Sequence, residues 1–242
     1  MNLAVTCLRN VLDRARQEKL IKSLPTENRR PLKYKPRERP AFTDAQVEAV
    51  CTAGFRPAFA GGRVVANGES GTPLKNAQQF GDFVRLLACC GSRMSETLRL
   101  KWSDVHWQLA QLHVGTDGLS KNGKARVVDF NPRLKTHLED MLQRRAPDSE
   151  WLFPSPQRGE RDERAKSFRE SLLLARAAAG LPAFGFHDCR HFFISMCVMS
   201  GIDYMTIARW VGHRDGGVLI GKVYGHLNDE HARKQAQRIE FK

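Results

Sequence analysis

Tyrosine is scarce in this chain. Tyr34, Tyr204 and Tyr224 are the only three among 242 residues, so chemistry that needs a phenol has three candidates. Acidic residues are also short: 26 Asp and Glu stand against 39 Lys and Arg, for a net charge of +13. That imbalance calls for a polyanionic partner, nucleic acid by default; the bland alternative is a basic protein that merely stays soluble. None of the six cysteines, Cys7, Cys51, Cys89, Cys90, Cys189 and Cys197, stands in a C-x-x-C pair. They read as small buried hydrophobes in a reducing cytosol rather than as a disulfide framework. No apolar run is long enough to span a membrane and no signal peptide is recognisable, so a soluble cytoplasmic protein is expected. Internal repeats and low-complexity tracts are missing too. A chain of this length holds one good-sized domain plus a small appendage, and needs no disulfide or structural metal to build a core.

What is there is mostly helical pattern. Leu3, Leu8, Val11, Leu12 and Ala15 make an apolar stripe over residues 3–20, with Arg9, Asp13, Arg16 and Lys19 off it. A lone helix cannot bury such a stripe, so residues 1–23 are expected to be the last helix of a domain whose earlier part is missing. Residues 24–42 form a stiff linker in which Pro25, Pro31, Pro36 and Pro40 alternate with Arg29, Arg30, Lys33, Lys35, Arg37 and Arg39. These cations either track a DNA backbone or are simply solvated. Residues 43–242 are expected to be one catalytic domain. Thr43-Asp44-Ala45-Gln46 opens its first helix with a capping box. Gly61, Gly62, Gly68 and Gly71 mark an irregular insertion, and a helix then runs from about Asn76 to a stop at Gly91. Val105–Val114 and Ala125–Phe130 are rich in β-formers. Asn122-Gly123 between them is a hairpin signal. Helices resume around Leu172–Ala179, from His187 to Gly201, and from the Asp203 cap to Gly212. A last helix carries Ala232, Ala236 and Ile239 on one face; it either docks on a neighbouring protomer or packs on its own domain. The predicted fold is therefore mainly α with a small antiparallel β-sheet.

The polar residues fall in a definite order: Arg93, Lys121, His187, Arg190, His213, then Tyr224. Two arginines, a lysine and two histidines followed by a phenol suit attack on a phosphate diester. Arg93 and Glu96 lie three apart at a helix start, as do His187 and Arg190, so each pair shares a face. An arginine there offers a planar fork to two phosphate oxygens while a carboxylate one turn on steadies it. Lys121 and Lys124 flank the hairpin turn, within reach of a groove. Each element alone has an ordinary reading as a surface ion pair or a solvated lysine. His187 and His191 are also four apart, as in zinc-protease helices. However, Asp188 replaces the glutamate of that pattern and Arg190 would set a cation beside a cation, so no metal is expected. His191, His226 and His231 read as packing or capping groups.

Taken together, four segments resemble the tyrosine recombinases of the phage-integrase class. Cys90-Gly91-Ser92-Arg93-Met94-Ser95-Glu96-Thr97-Leu98-Arg99-Leu100-Lys101-Trp102-Ser103-Asp104-Val105 resembles that family's first arginine box. His187-Asp188-Cys189-Arg190-His191-Phe192-Phe193 resembles its second. Ile207–His213 and Tyr224-Gly225-His226-Leu227 resemble the segments of the third histidine and the nucleophile. The resemblance covers nearly all of residues 43–242 and implies an enzyme that cuts and rejoins DNA. Tyr224 would attack phosphorus, Arg93 and Arg190 would clamp the non-bridging oxygens, and Lys121 would protonate the leaving 5′-oxygen. His187 would accept a proton or bind phosphate, His213 would hydrogen-bond phosphate, and Glu96 would orient the site. Religation would need no cofactor. The implied partner is double-stranded DNA, bound by a homotetramer at synapsis and by a chain that is allowed to be monomeric when free, in the cytoplasm near the nucleoid. Integration or excision of a mobile element is the implied role. A type IB topoisomerase-like activity, or a DNA-binding module without chemistry, are the alternatives. His213 and Tyr224 stand about two residues further apart than in many members, and Gly216-Gly217 reads as the loop that absorbs the difference.

Overall fold

The computed structural model describes residues 2–27, 42–56, 58–65, 71–119, 124–155, 162–225 and 237. The chain divides into two compact units, Met1–Pro40 and Ala41–Lys242. In the first, α1 (Asn2–Gln17) is followed by a turn onto which Arg9 donates through Nη2 to the Thr26 carbonyl at 2.6 Å. Leu8 and Val11 of its stripe are exposed. Cys7 is exposed as well, which corrects the expectation of a buried thiol there; the other five cysteines are buried, and all six are free.

The second unit opens with α2 (Asp44–Ala53), where Thr43 and Gln46 cap each other as the sequence predicts. Next come β1 (Phe59–Ala60) and β2 (Arg63–Val64). Gly61 and Gly62, both at positive φ, form the two-residue turn of a hairpin in which Phe59 faces Val64. The predicted irregular insertion thus begins as a hairpin, because two glycines supply the left-handed turn that paired strands favour; Gly68 lies outside the described residues. Helix α3 (Ala77–Cys90) is the central rod, and α4 (Met94–Thr97) follows it after a sharp turn. Strands β3 (Val105–His106), β4 (Gln111–Val114) and β5 (Arg126–Asp129) form an antiparallel sheet in that order, with Val114 opposite Arg126. The β4–β5 pairing is as predicted, although Asn122-Gly123 lies outside the described residues. Helices α5 (Pro132–Gln143), α6 (Arg169–Ala178), α7 (Phe186–Met199), α8 (Tyr204–Val211) and α9 (Val218–Tyr224) complete it. Among the described residues, no helix is long and apolar enough to cross a membrane.

Two apolar clusters hold these elements. The larger is built on α3, whose Phe80, Phe83, Val84 and Leu87 repeat at helical spacing and are fully buried. Phe83 packs edge-on to Phe153 at 5.1 Å and to Phe186 at 5.4 Å between ring centres. Each such ring contributes roughly 2–3 kcal/mol of burial. The smaller cluster joins Phe193, Ile194 and Val198 of α7 to Ile207 and Val211 of α8 and to Ile220 and Tyr224 of α9. Arg190 sits on α7, the helix both clusters share, and Tyr224 belongs to the smaller one.

Candidate active site

Gly91 ends α3 in the left-handed conformation, φ 63°. A Cβ there would stand 2.4 Å from the Phe193 ring, so glycine is required both for the turn and for the approach of α7. The turn sends the next residue but one, Arg93, to the start of α4. Its backbone N–H donates to Glu96 Oε2 at 2.9 Å and its Nη1 donates to Glu96 Oε1 at 2.9 Å. The predicted pairing of these two residues is thus present, with Glu96 buried.

Glu96 is also held by a residue the sequence pattern does not single out. Arg126, on β5, donates through Nη2 to Glu96 Oε2 at 2.7 Å and through Nε to the Trp210 carbonyl at 2.7 Å. One arginine thereby ties the sheet, the first arginine box and the end of α8 together. Burial pushes the Glu96 carboxyl up, but hydrogen bonds and charge from Arg126 and then Arg93 outweigh it and bring it down to about 2.

Arg190 is nearly inaccessible. Its Nη1 donates to the Gly91 carbonyl at 2.7 Å and its Nη2 to the Val211 carbonyl at 2.6 Å. Two of its donors are spent fixing the guanidinium plane between the ends of α3 and α8. Burial, then the charges of Arg93 and Arg126, push it down to about 10. It remains a cation at neutral pH, though a crowded one. Arg93 and Arg126 share the Glu96 carboxylate while Arg190 is held by backbone carbonyls, an arrangement that favours an anion.

His213 follows Gly212, which ends α8 in the left-handed conformation. Its Nδ1 is buried with no hydrogen-bond partner among the described residues. Burial, then the charges of Arg190 and Arg93, lower its pKa. A cavity of about 150 Å³ opens here, lined by Arg93, Glu96, Lys124, Arg126, His213 and Arg214 among others.

Tyr224 ends α9. Gly217 starts that helix at φ 94° and passes so close to Tyr204 that a Cβ would meet its carbonyl oxygen at 2.6 Å. Asp215 caps the turn, accepting from Gly217 N and, at 2.8 Å, from Leu219 N. The long interval after His213 is therefore a Gly-Gly turn followed by a helix. Tyr224 is buried, and its hydroxyl hydrogen-bonds Nδ1 of His191. Burial, only partly opposed by Arg190, raises its pKa to about 12. Tyr204 packs against Gly217 and Gly221 of the α9 turn.

His187 is exposed at the start of α7, with its ring edge-on to His191 at 4.6 Å. His191, expected from sequence to pack or cap, meets the hydroxyl and ring of Tyr224. The available signal is its place one turn beyond His187 on the same face. For Arg126 no local pattern exists, since its partners lie 30 and 84 residues away. Lys121, Tyr34, His226, His231, the linker cations Arg29, Arg30, Lys33, Lys35, Arg37 and Arg39, and the predicted last helix lie outside the described residues.

A family model described as the phage integrase family matches residues 70–231. Tyrosine recombinase XerA of Pyrococcus furiosus is 28% identical over 159 residues, 65% of this chain and 54% of that protein. The chain spans about half the length of the curated relatives it matches. A lambda integrase dimer bound to a COC′ core site has a similar fold, with TM-score 0.63 and 19% identity over 89% of this chain and 72% of that one. A lambda integrase tetramer bound to a Holliday junction gives TM-score 0.62 and 18% identity, covering 90% and 59%.

Proposed function

We propose that this chain, which belongs to the phage integrase family, is a tyrosine-type site-specific recombinase that cuts and rejoins DNA through a 3′-phosphotyrosine link. The observation that carries the reading is the buried Tyr224, whose hydroxyl hydrogen-bonds the residue that follows Arg190 on α7, in a site where Arg93 and Arg126 pair with Glu96. The net charge of +13 and the DNA bound to the two lambda integrase structures support a duplex DNA substrate.

Tyr224 Oη attacks a backbone phosphorus, the bond to the 5′-oxygen breaks, and a free 5′-hydroxyl leaves. The phosphate bond is conserved in the covalent link, so the reverse attack religates without a nucleotide cofactor. Negative charge grows on the non-bridging oxygens in the transition state. Arg190 and Arg93 are fixed by their carbonyl and carboxylate partners before substrate arrives, and such preorganised donors contribute roughly 3–4 kcal/mol each in comparable sites. The orphaned nitrogen of His213 would gain a partner on phosphate. Lys121 protonates the 5′-oxygen, His187 serves as a proton acceptor or ligand at the phosphate, and the linker cations with Lys124 follow the DNA backbone. The assembly at synapsis is a homotetramer, and the biological step is integration or excision of a mobile element.

A nicked duplex that loses its 5′-fragment after cleavage traps the covalent state. Wild-type protein should accumulate a protein–DNA adduct, and Tyr224→Phe should form none while binding the same duplex nearly as well. Adducts that persist in Tyr224→Phe would overturn the assignment. Recombination between paired sites, against relaxation of a supercoiled circle, separates a recombinase from a topoisomerase.

A further inference from the structure

We propose that His191 is a catalytic residue of this site, taking the proton from the Tyr224 hydroxyl as that oxygen attacks phosphorus. The inference rests on the reading of Tyr224 as nucleophile. Nδ1 of His191 hydrogen-bonds Tyr224 Oη, and the two rings lie 5.8 Å apart at 40°. Neither partner is on a loop. His191 follows Arg190 on α7, and α9 is packed on α7 and α8 through Ile220 and Tyr224 itself. The hydroxyl is thus held against an imidazole nitrogen one residue from the guanidinium that would grip the phosphate.

The chemistry needs such a group. A phenol raised to about 12 is ionised to roughly one part in 10⁵ near neutral pH. The proton must leave during attack, and the acceptor must already touch the oxygen. The exchange balances. The Tyr224 Oη–phosphorus bond forms and the phosphorus–5′-oxygen bond breaks. The phenolic proton goes to His191 Nδ1, and the 5′-oxygen takes its proton from the general acid, assigned to Lys121. On religation His191 returns the proton to the phenol oxygen. His187, edge-on to His191 at 4.6 Å, is then left to the phosphate.

The test is single-turnover cleavage of the nicked duplex by the full chain. His191→Asn keeps a hydrogen-bonding atom near the Nδ1 position but cannot hold the proton, and His191→Phe removes both functions. Both should cleave about 10²–10³-fold more slowly, with unchanged DNA affinity and thermal melting for His191→Asn. Difluorotyrosine in place of Tyr224, a more acidic phenol, should restore His191→Asn by about tenfold or more. A duplex with sulfur in place of the bridging 5′-oxygen, which relieves only the leaving group, should not restore it. Cleavage by His191→Asn within a few-fold of wild type would overturn the proposal, as would rescue by the sulfur duplex or a failure of difluorotyrosine to rescue. If wild-type protein itself forms no adduct, the recombinase reading fails, which is distinct from a normal adduct that ignores residue 191.

Discussion

Arg190 is buried to 3% exposure and yet must remain a cation among cations. It does so because the Gly91 and Val211 carbonyls take two of its donors and Glu96 lies close by. Lysine at this position would offer a point charge where a fork is needed. Arg190→Lys is expected to cut covalent cleavage by about 10²–10³-fold while DNA binding, read by gel shift, changes little; near-normal cleavage would count against it. Glu96 carries a second prediction. Its folded-state pKa of about 2 lies below the ordinary 4.5, so its contribution to stability is fully present above about pH 4.5 and is lost as pH falls towards 2. The amount is on the order of 3 kcal/mol. Urea unfolding of wild type and Glu96→Gln should show a large difference at neutral pH that closes at acid pH; a constant gap would refute it. At this scale the sequence is informative where a role is local. Arg93 and Glu96 are one turn apart, and so are His187 and Arg190. It is silent on Arg126 and on the contact of His191 with Tyr224, because tertiary partners alone give those two their place.

Short elements with unusual backbones position these groups. Gly217 starts α9 at a φ that side chains rarely adopt, against the Tyr204 carbonyl. Gly217→Ala should therefore shift α9 and lower Tyr224 adduct formation more than it lowers DNA affinity; equal losses would point to general unfolding instead. The same reasoning applies to Gly91, where a Cβ would overlap Phe193 and separate α7 from the first arginine box. Helix ends are the most legible features of the fold: Thr43, Asp203, Gly91 and Gly212 all act as the sequence predicts. Helix α5 is absent from the sequence-based expectation although its start is marked. Asn131 caps it by accepting from Leu134 N at 2.9 Å, and Pro132 follows at the first helical position. The residues after His213 read as a loop alone, because a seven-residue helix that begins after two glycines carries too little periodicity to stand out.

For the whole molecule, charge is the dominant quantity. DNA affinity should fall linearly on a log–log plot against salt, with a slope near −0.9 per phosphate neutralised. Replacing Arg29, Arg30, Lys33 and Lys35 with glutamine should flatten that slope by roughly one unit for each phosphate no longer neutralised, without changing cleavage by bound protein; an unchanged slope would leave the linker as a spacer. Leu8 and Val11 of α1 are exposed, and the candidate site is assembled within Ala41–Lys242. The central claim is that Tyr224 becomes covalently joined to DNA. Mass mapping of the protease-digested adduct tests this most directly. The expected result is a 3′-linked nucleotide remnant on the peptide that carries Tyr224, with a free 5′-hydroxyl on the released strand. A remnant on a peptide carrying Tyr34 or Tyr204, or a linkage to the 5′-phosphate, would contradict it.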